Sequence, residues 1–169
     1  MEPTYLKKKN KHELDSSISF EDGPHIYTID GDRSFTSVTT WIHSHFSKFD
    51  SDKIINNMMK KPNWNESKYY GMTKDAIKKS WSKKGFEASK LGTELHQDKE
   101  DFYNDKKIKN NTNEWKYFKK FHKKHGSKLK PFRTEWRIFD KELKLAGSID
   151  MIFENENGDL VMYDWKRSN

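Results

Sequence analysis

From Pro131 onward the hydrophobic pattern changes its period. Before it, apolar residues recur at helical spacing. After it, Phe132, Thr134, Trp136 and Ile138 alternate with Arg133, Glu135 and Arg137. A turn signal at Asp140-Lys141-Glu142 separates this run from residues 143–153. A second, Asn155-Glu156-Asn157-Gly158-Asp159, separates that run from residues 160–166. A chain with this switch is held to an α+β fold, with N-terminal helices packed on a small mixed or antiparallel sheet. The helical part is expected over 36–125 and the β-meander over 131–167.

The earlier segments are punctuated in the same way. Two short strands are expected around Asp22-Gly23-Pro24, and Asp30-Gly31-Asp32 marks the next turn. Ser37 or Thr36 can cap a helix that carries Val38, Trp41 and Ile42. Ile54, Ile55, Met58 and Met59 form a helical stripe that Pro62 ends. A helix over about 82–104 takes Phe86, Leu91, Leu95, Phe102 and Tyr103 as its apolar positions, with His96 in its middle. Another is expected over 112–124, stopped by Gly126.

The 169 residues fit one domain with an appendage: a basic polar tail over 1–17 and a domain over 18–169. Hydrophobic residues make only 32% of the chain, but aromatics make 14%, so a small core built from large rings is expected. A formal charge of +7 favours a polyanionic partner, and Lys7-Lys8-Lys9 in the tail offer either a solvated end or a basic arm. Trp64, Tyr69, Tyr70 and Trp81 stand among lysines, a composition that suits base stacking as well as core packing. There is no cysteine, which excludes disulfides and thiolate metal sites and fits a reducing compartment. No signal segment or apolar span is present, so a soluble intracellular chain with no membrane partner is expected.

The chemistry concentrates in the last hairpin. Asp150 and Asp164 stand equally far on either side of Asn157. In a symmetric antiparallel hairpin they face each other, with Cβ atoms about 4.5–5.5 Å apart. Like charges so placed destabilise a sheet and call for a cation. Lys166 shares a face with Asp164, and two carboxylates beside a lysine suit a hard divalent ion held by oxygen ligands. An Asp-x-Lys taken alone is equally a surface salt bridge of small energetic value.

Gly147-Ser148-Ile149-Asp150, an apolar arm, a turn and Tyr163-Asp164-Trp165-Lys166 resemble the signature of the PD-(D/E)xK nuclease superfamily. Gly92-Thr93-Glu94-Leu95-His96 resembles the helix of its RecB-like branch, which carries a metal-ligating histidine. Ser37-Val38-Thr39, after an Asp-Gly turn, resembles the N-terminal segment of single-strand exonucleases similar to the mitochondrial genome maintenance exonuclease. The matches run over about residues 25–168 and are dense only after Gly92.

The resemblance implies a restriction-endonuclease-like core and Mg²⁺ or Mn²⁺, with the histidine favouring Mn²⁺. It implies His96, Asp150 and Asp164 as metal ligands, joined by the carbonyl of Trp165. Lys166 would position the attacking water and stabilise charge on the phosphate. Glu135 matches a strand glutamate near the metal, although it is equally placed to pair with Arg133 or Arg137. Ser37, Thr39, Lys83 and Lys84 would contact nucleic acid, DNA before RNA.

The family usually continues past the lysine strand with a helix and a further strand, whereas this chain stops at Arg167-Ser168-Asn169. A shortened sheet with an edge that a protein partner or a missing segment would cover is therefore expected. The functional expectation is a metal-dependent nuclease, an exonuclease on single strands or ends. Its alternative is a nuclease-fold module that binds nucleic acid or protein without turnover.

Overall fold

The computed structural model describes residues 4–126 and 128–167. Residues 1–3 of the expected tail and 168–169 of the expected domain lie outside them. The fold is mixed α+β. The chain forms two compact units, Met1–His45 with Glu94–Asn169, and Phe46–Thr93.

The elements in chain order are α1 (Tyr5–Lys9), β1 (Ile18–Glu21), β2 (Ile26–Ile29), β3 (Thr36–Ser37), α2 (Val38–Ser44), α3 (Ser51–Met59), α4 (Lys74–Tyr103), α5 (Asn113–His125), β4 (Lys130–Asp140), β5 (Leu145–Glu154) and β6 (Leu160–Tyr163). Short 3₁₀ turns lie at Glu13–Ser16 and Trp64–Glu66. α4 begins well before the expected start at 82, because Thr73 Oγ1 accepts from Ala76 N and supplies an earlier cap.

In the first unit, β5 is the central strand. β4 pairs with it antiparallel along its length. On its other edge β3 joins in parallel at Leu145 and Ala146, and β6 joins antiparallel from Met151 to Glu154. Gly147 to Asp150 therefore lie between two short neighbours, on a stretch of edge that no described strand pairs. The hairpin β5–β6 turns where expected. Asn155 Oδ1 accepts from Asn157 N and Asp159 N, both at 2.9 Å, and Gly158 takes the left-handed φ of 86° that a side chain would resist.

β4 departs from simple alternation. A bulge between Pro131 and Arg133 shifts the register, and Arg133 and Thr134 are both buried. Immediately after them Glu135 adopts φ 42°, a left-handed backbone inside a strand. Two irregularities in five residues explain why a period of two does not sort this strand into inner and outer faces.

The core of this unit is aromatic, as the composition requires. Leu6, Leu95, Tyr103, Trp115, Phe118, Met151 and Phe153 form one cluster, bordered by Phe102, Tyr163 and Trp165. Ring pairs such as Tyr103–Phe153 at 5.3 Å and Phe102–Phe118 at 5.4 Å meet edge to face, each worth about 0.5–1.5 kcal/mol beyond area burial. Ile18, Tyr27, Ile29, Phe35 and Ala146 make a second cluster beneath β1, β2 and β3.

The N-terminal segment is not a solvated tail. Leu6 is buried in the main core, and its N–H donates to Asn104 Oδ1 at 2.9 Å. Asn10 Nδ2 donates to the Phe132 carbonyl at 2.6 Å. Arg133, 2% exposed, meets Asp15 with both terminal nitrogens at 3.0 and 2.8 Å. One leucine and a set of polar bonds hold the segment on β4, which is why its polar composition reads as a loose end.

In the second unit, Ile55 of α3 and Ile77 of α4 are fully buried, and Trp81 Nε1 donates to Tyr69 Oη at 2.8 Å. Phe86, expected at an apolar position, is 72% exposed. No helix among the described residues is long and apolar enough to cross a membrane.

Candidate metal centre

Three elements of the first unit bring one side chain each to a common point. α4 supplies His96, β4 supplies Glu135 and β5 supplies Asp150. Their ligand atoms all lie within 4.8 Å of one another, and all three side chains are half-buried. The register explains part of this. Between the pairs Thr134↔Met151 and Trp136↔Ile149, Glu135 falls opposite Asp150. Two carboxylates therefore face each other across neighbouring strands, an arrangement that is destabilising without a cation. His96 Nδ1 closes the group at 3.5 Å from Asp150 Oδ2.

The backbone of Glu135 is part of the arrangement. A non-glycine residue at φ 42° costs about 1–3 kcal/mol and persists only where its surroundings enforce it. Ser148, on β5, donates from Oγ to Glu135 Oε2 at 2.9 Å and orients the carboxylate. Burial pushes the Glu135 carboxyl up to about 7; the Ser148 bond opposes the shift, and the negative charges of Asp150 and Glu100 add to it. Glu100, one turn past His96 on α4, is itself held above the ordinary glutamate range, first by burial and then by Asp101. A divalent ion fits the donor set of one imidazole and two carboxylates.

The expected partners at the end of β6 are placed differently. One step further along the β5–β6 register from Met151↔Tyr163 would set Asp164 opposite Asp150, as the symmetry about Asn157 predicts. The ladder ends at Tyr163, however, and the next link is a side-chain bond: Trp165 N–H donates to Asp150 Oδ2 at 2.7 Å. Asp164 is not in the ligand group found among the described residues. It pairs instead with Lys166, whose Nζ lies 3.0 and 2.9 Å from its two oxygens. Both side chains are largely in solvent, 58% and 80% exposed. The Lys166 ammonium is held above its ordinary range chiefly by Asp164, with a further contribution from Asp150. Trp165 enters the site through its N–H, and its ring packs on Phe118 and Phe121.

Ser37 is buried and caps α2, accepting from Thr40 N at 3.0 Å, so its hydroxyl already has a structural task. Thr39 is exposed in the first turn of α2. Lys83 and Lys84 line a shallow groove of the second unit, where Lys83 lies 4.0 Å from Glu87. A second basic groove runs along α5 in the first unit, lined by Lys116, Lys119, Lys120 and Lys123 with Asn110 and Asn111.

Lys99 and Ser148 are the neighbours that sequence reasoning missed. Lys99 sits one turn after His96 and is 5% exposed. Its signal was the spacing of three from the histidine, which puts both on one helix face. Ser148 stood inside the quoted Gly-Ser-Ile-Asp run, but its partner depends on the irregular backbone at Glu135.

Comparison with known proteins gives no relative: no family model, curated protein or solved structure matches the chain.

Proposed function

We propose that the chain is a divalent-metal-dependent nuclease that hydrolyses phosphodiesters in DNA, with Mn²⁺ or Mg²⁺ held by His96, Glu135 and Asp150. One observation carries this reading. Three residues far apart in sequence, on a helix and two strands, converge their ligand atoms within 4.8 Å. A strained backbone supports one of them.

A bound divalent ion supplies an acidified water and a counter-charge for phosphate oxygens. The chain's own residues do the rest. Asp150 is fixed by the Trp165 N–H, and Glu135 by the Ser148 hydroxyl. Glu135, with its carboxyl near 7, gives up its proton when a cation arrives. Lys166 and Asp164 form a charged pair at the rim, where the ammonium can meet an incoming phosphate once the aspartate turns away. The basic groove on α5 offers counter-charge to the rest of the strand. Action on single strands or ends is the form of this activity that the resemblance of Ser37-Val38-Thr39 to the N-terminal segment of single-strand exonucleases favours.

The pairing of Lys166 with Asp164 outside the ligand group favours a second reading, a nuclease-fold module that binds nucleic acid without turnover. One assay separates the two. The purified chain is incubated with end-labelled single- and double-stranded DNA in Mn²⁺, Mg²⁺ or EDTA, beside Asp150→Asn and Glu135→Gln. Metal-dependent cleavage lost in both variants supports the enzyme. Tight binding without cleavage, indifferent to both substitutions, supports the module.

A further inference from the structure

The lysine nearest the metal ligands in depth is not Lys166. Lys99 shares a face of α4 with His96, and the residue is 5% exposed against 80% for the Lys166 side chain. Its ammonium lies 4.8 Å from the ring centroid of Trp165 and 5.7 Å from that of Phe118. Trp165 is the residue whose N–H holds Asp150. Among the described residues, no hydrogen bond or ion pair reaches the Lys99 ammonium. Arg133 Nε is the one sealed side-chain polar atom among them that lacks a partner, so the Lys99 ammonium keeps an opening to solvent.

An ammonium carries three donors, and leaving them unused in an apolar setting is costly. The aromatic faces compensate only part of that. Burial pushes the Lys99 amine down, and the negative charge of Asp150 pulls it back. A lysine that served only to fill space would do better as methionine, which is unbranched, only one atom shorter and has no donors to satisfy. A cation retained there needs an anion, and the cluster it adjoins is the one proposed to receive a phosphate.

We infer that Lys99 is a phosphate-binding residue: its ammonium takes a non-bridging oxygen of a phosphodiester brought to the His96–Glu135–Asp150 cluster. The inference rests on the nuclease reading for its ligand, but not for its test. Lys99 is the inner cation and Lys166 the outer one.

The test uses the full chain with Lys99→Met, Lys99→Arg and Lys166→Met. Four quantities are measured: the thermal midpoint, Mn²⁺ affinity, affinity for a thymidine dinucleotide with Ca²⁺ in place of Mn²⁺, and the rate of DNA cleavage. Lys99→Met is expected to keep or raise the thermal midpoint and to leave Mn²⁺ binding intact. It should weaken the dinucleotide about tenfold or more, the size of a lost charge-assisted hydrogen bond. Cleavage should fall about 10²–10³-fold, as when one donor to a developing oxyanion is removed. Lys99→Arg restores part of both, and Lys166→Met costs less than Lys99→Met.

Dinucleotide affinity within twofold of wild type in Lys99→Met overturns the inference. So does a wild-type chain that binds no dinucleotide, or a Lys99→Met chain whose losses all follow a lowered thermal midpoint. Failure of the nuclease reading looks different: the wild type binds no Mn²⁺ and cleaves nothing. Loss of dinucleotide binding in Lys99→Met still upholds the phosphate seat in that case.

Discussion

Trp165 N–H donates to Asp150 Oδ2 over 2.7 Å, and the same oxygen faces His96 Nδ1 at 3.5 Å. One carboxylate oxygen is therefore fixed from the hairpin arm and presented to the helix. Across the sheet, Ser148 Oγ fixes Glu135 Oε2 in the same manner. Both acids are held by donors on or beyond β5, so their orientation does not depend on a cation being present.

Ser148→Ala tests that support. The serine touches no other ligand, and the substitution leaves the backbone alone. Loss of an orienting partner of a ligand typically costs about 10–100-fold in metal affinity. Calorimetric titration with Mn²⁺ should show a loss of at least about tenfold with an unchanged circular dichroism spectrum. Affinity equal to wild type would show that Glu135 is positioned by other means.

Glu135 makes stability depend on pH. Its carboxyl titrates near 7 in the folded chain against an ordinary value of 4.5, so the folded state binds the proton more tightly. The associated stability is fully present below about 4.5 and is lost as pH rises through about 7, up to roughly 3 kcal/mol at the alkaline end. In EDTA, urea unfolding from pH 5 to 8 should show the wild type losing stability relative to Glu135→Gln. Parallel curves would contradict the assignment. Mn²⁺ binding near pH 6 should also release close to one proton, read from calorimetry in buffers of different ionisation enthalpy.

The parts of this fold that were legible were those set by local pattern. The turn centred on Asn157, the cap at Ser37, the stop at Gly126 and the change of period at Pro131 each follow from one residue type in one place. The symmetry of the last hairpin gives the register as far as Met151↔Tyr163, one step short of Asp150 and Asp164, and His96 lies 3.5 Å from Asp150. What could not be read were features in which a tertiary contact overrides the pattern. The left-handed backbone at Glu135 has no signature in its neighbours. The ladder ends at Tyr163, the Trp165 N–H goes to the Asp150 side chain, and Asp164 and Lys166 pair with each other outside the ligand group. The burial of Lys99 has no local signature, because the two rings beside its amine, Phe118 and Trp165, are distant in sequence.

The N-terminal segment yields a stability prediction. Arg133 is buried and its two terminal nitrogens depend on Asp15 and the Asn10 carbonyl. Asp15→Ala strands the guanidinium, at a cost of about 3–5 kcal/mol. The thermal midpoint should fall by roughly 10 °C. A change of less than about 2 °C would mean that the Asp15–Arg133 pair contributes little and that Leu6 and the Asn10 bonds hold the segment.

The groove on α5 predicts how binding responds to salt. Lys116→Glu with Lys120→Glu should weaken DNA binding and reduce the slope of log affinity against log salt by about two. Mn²⁺ affinity should not change. An unaltered slope in fluorescence anisotropy would remove α5 from the path of the strand.

The central claim is that His96, Glu135 and Asp150 hold one divalent ion, and direct titration tests it. Mn²⁺ is titrated into the metal-free chain at pH 7.5, with bound ion followed by electron paramagnetic resonance. Wild type should bind one equivalent, and His96→Ala, Glu135→Gln and Asp150→Asn should each lose it while Asp164→Asn keeps it. Equal binding by wild type and Asp150→Asn, or no binding by either, would contradict the account.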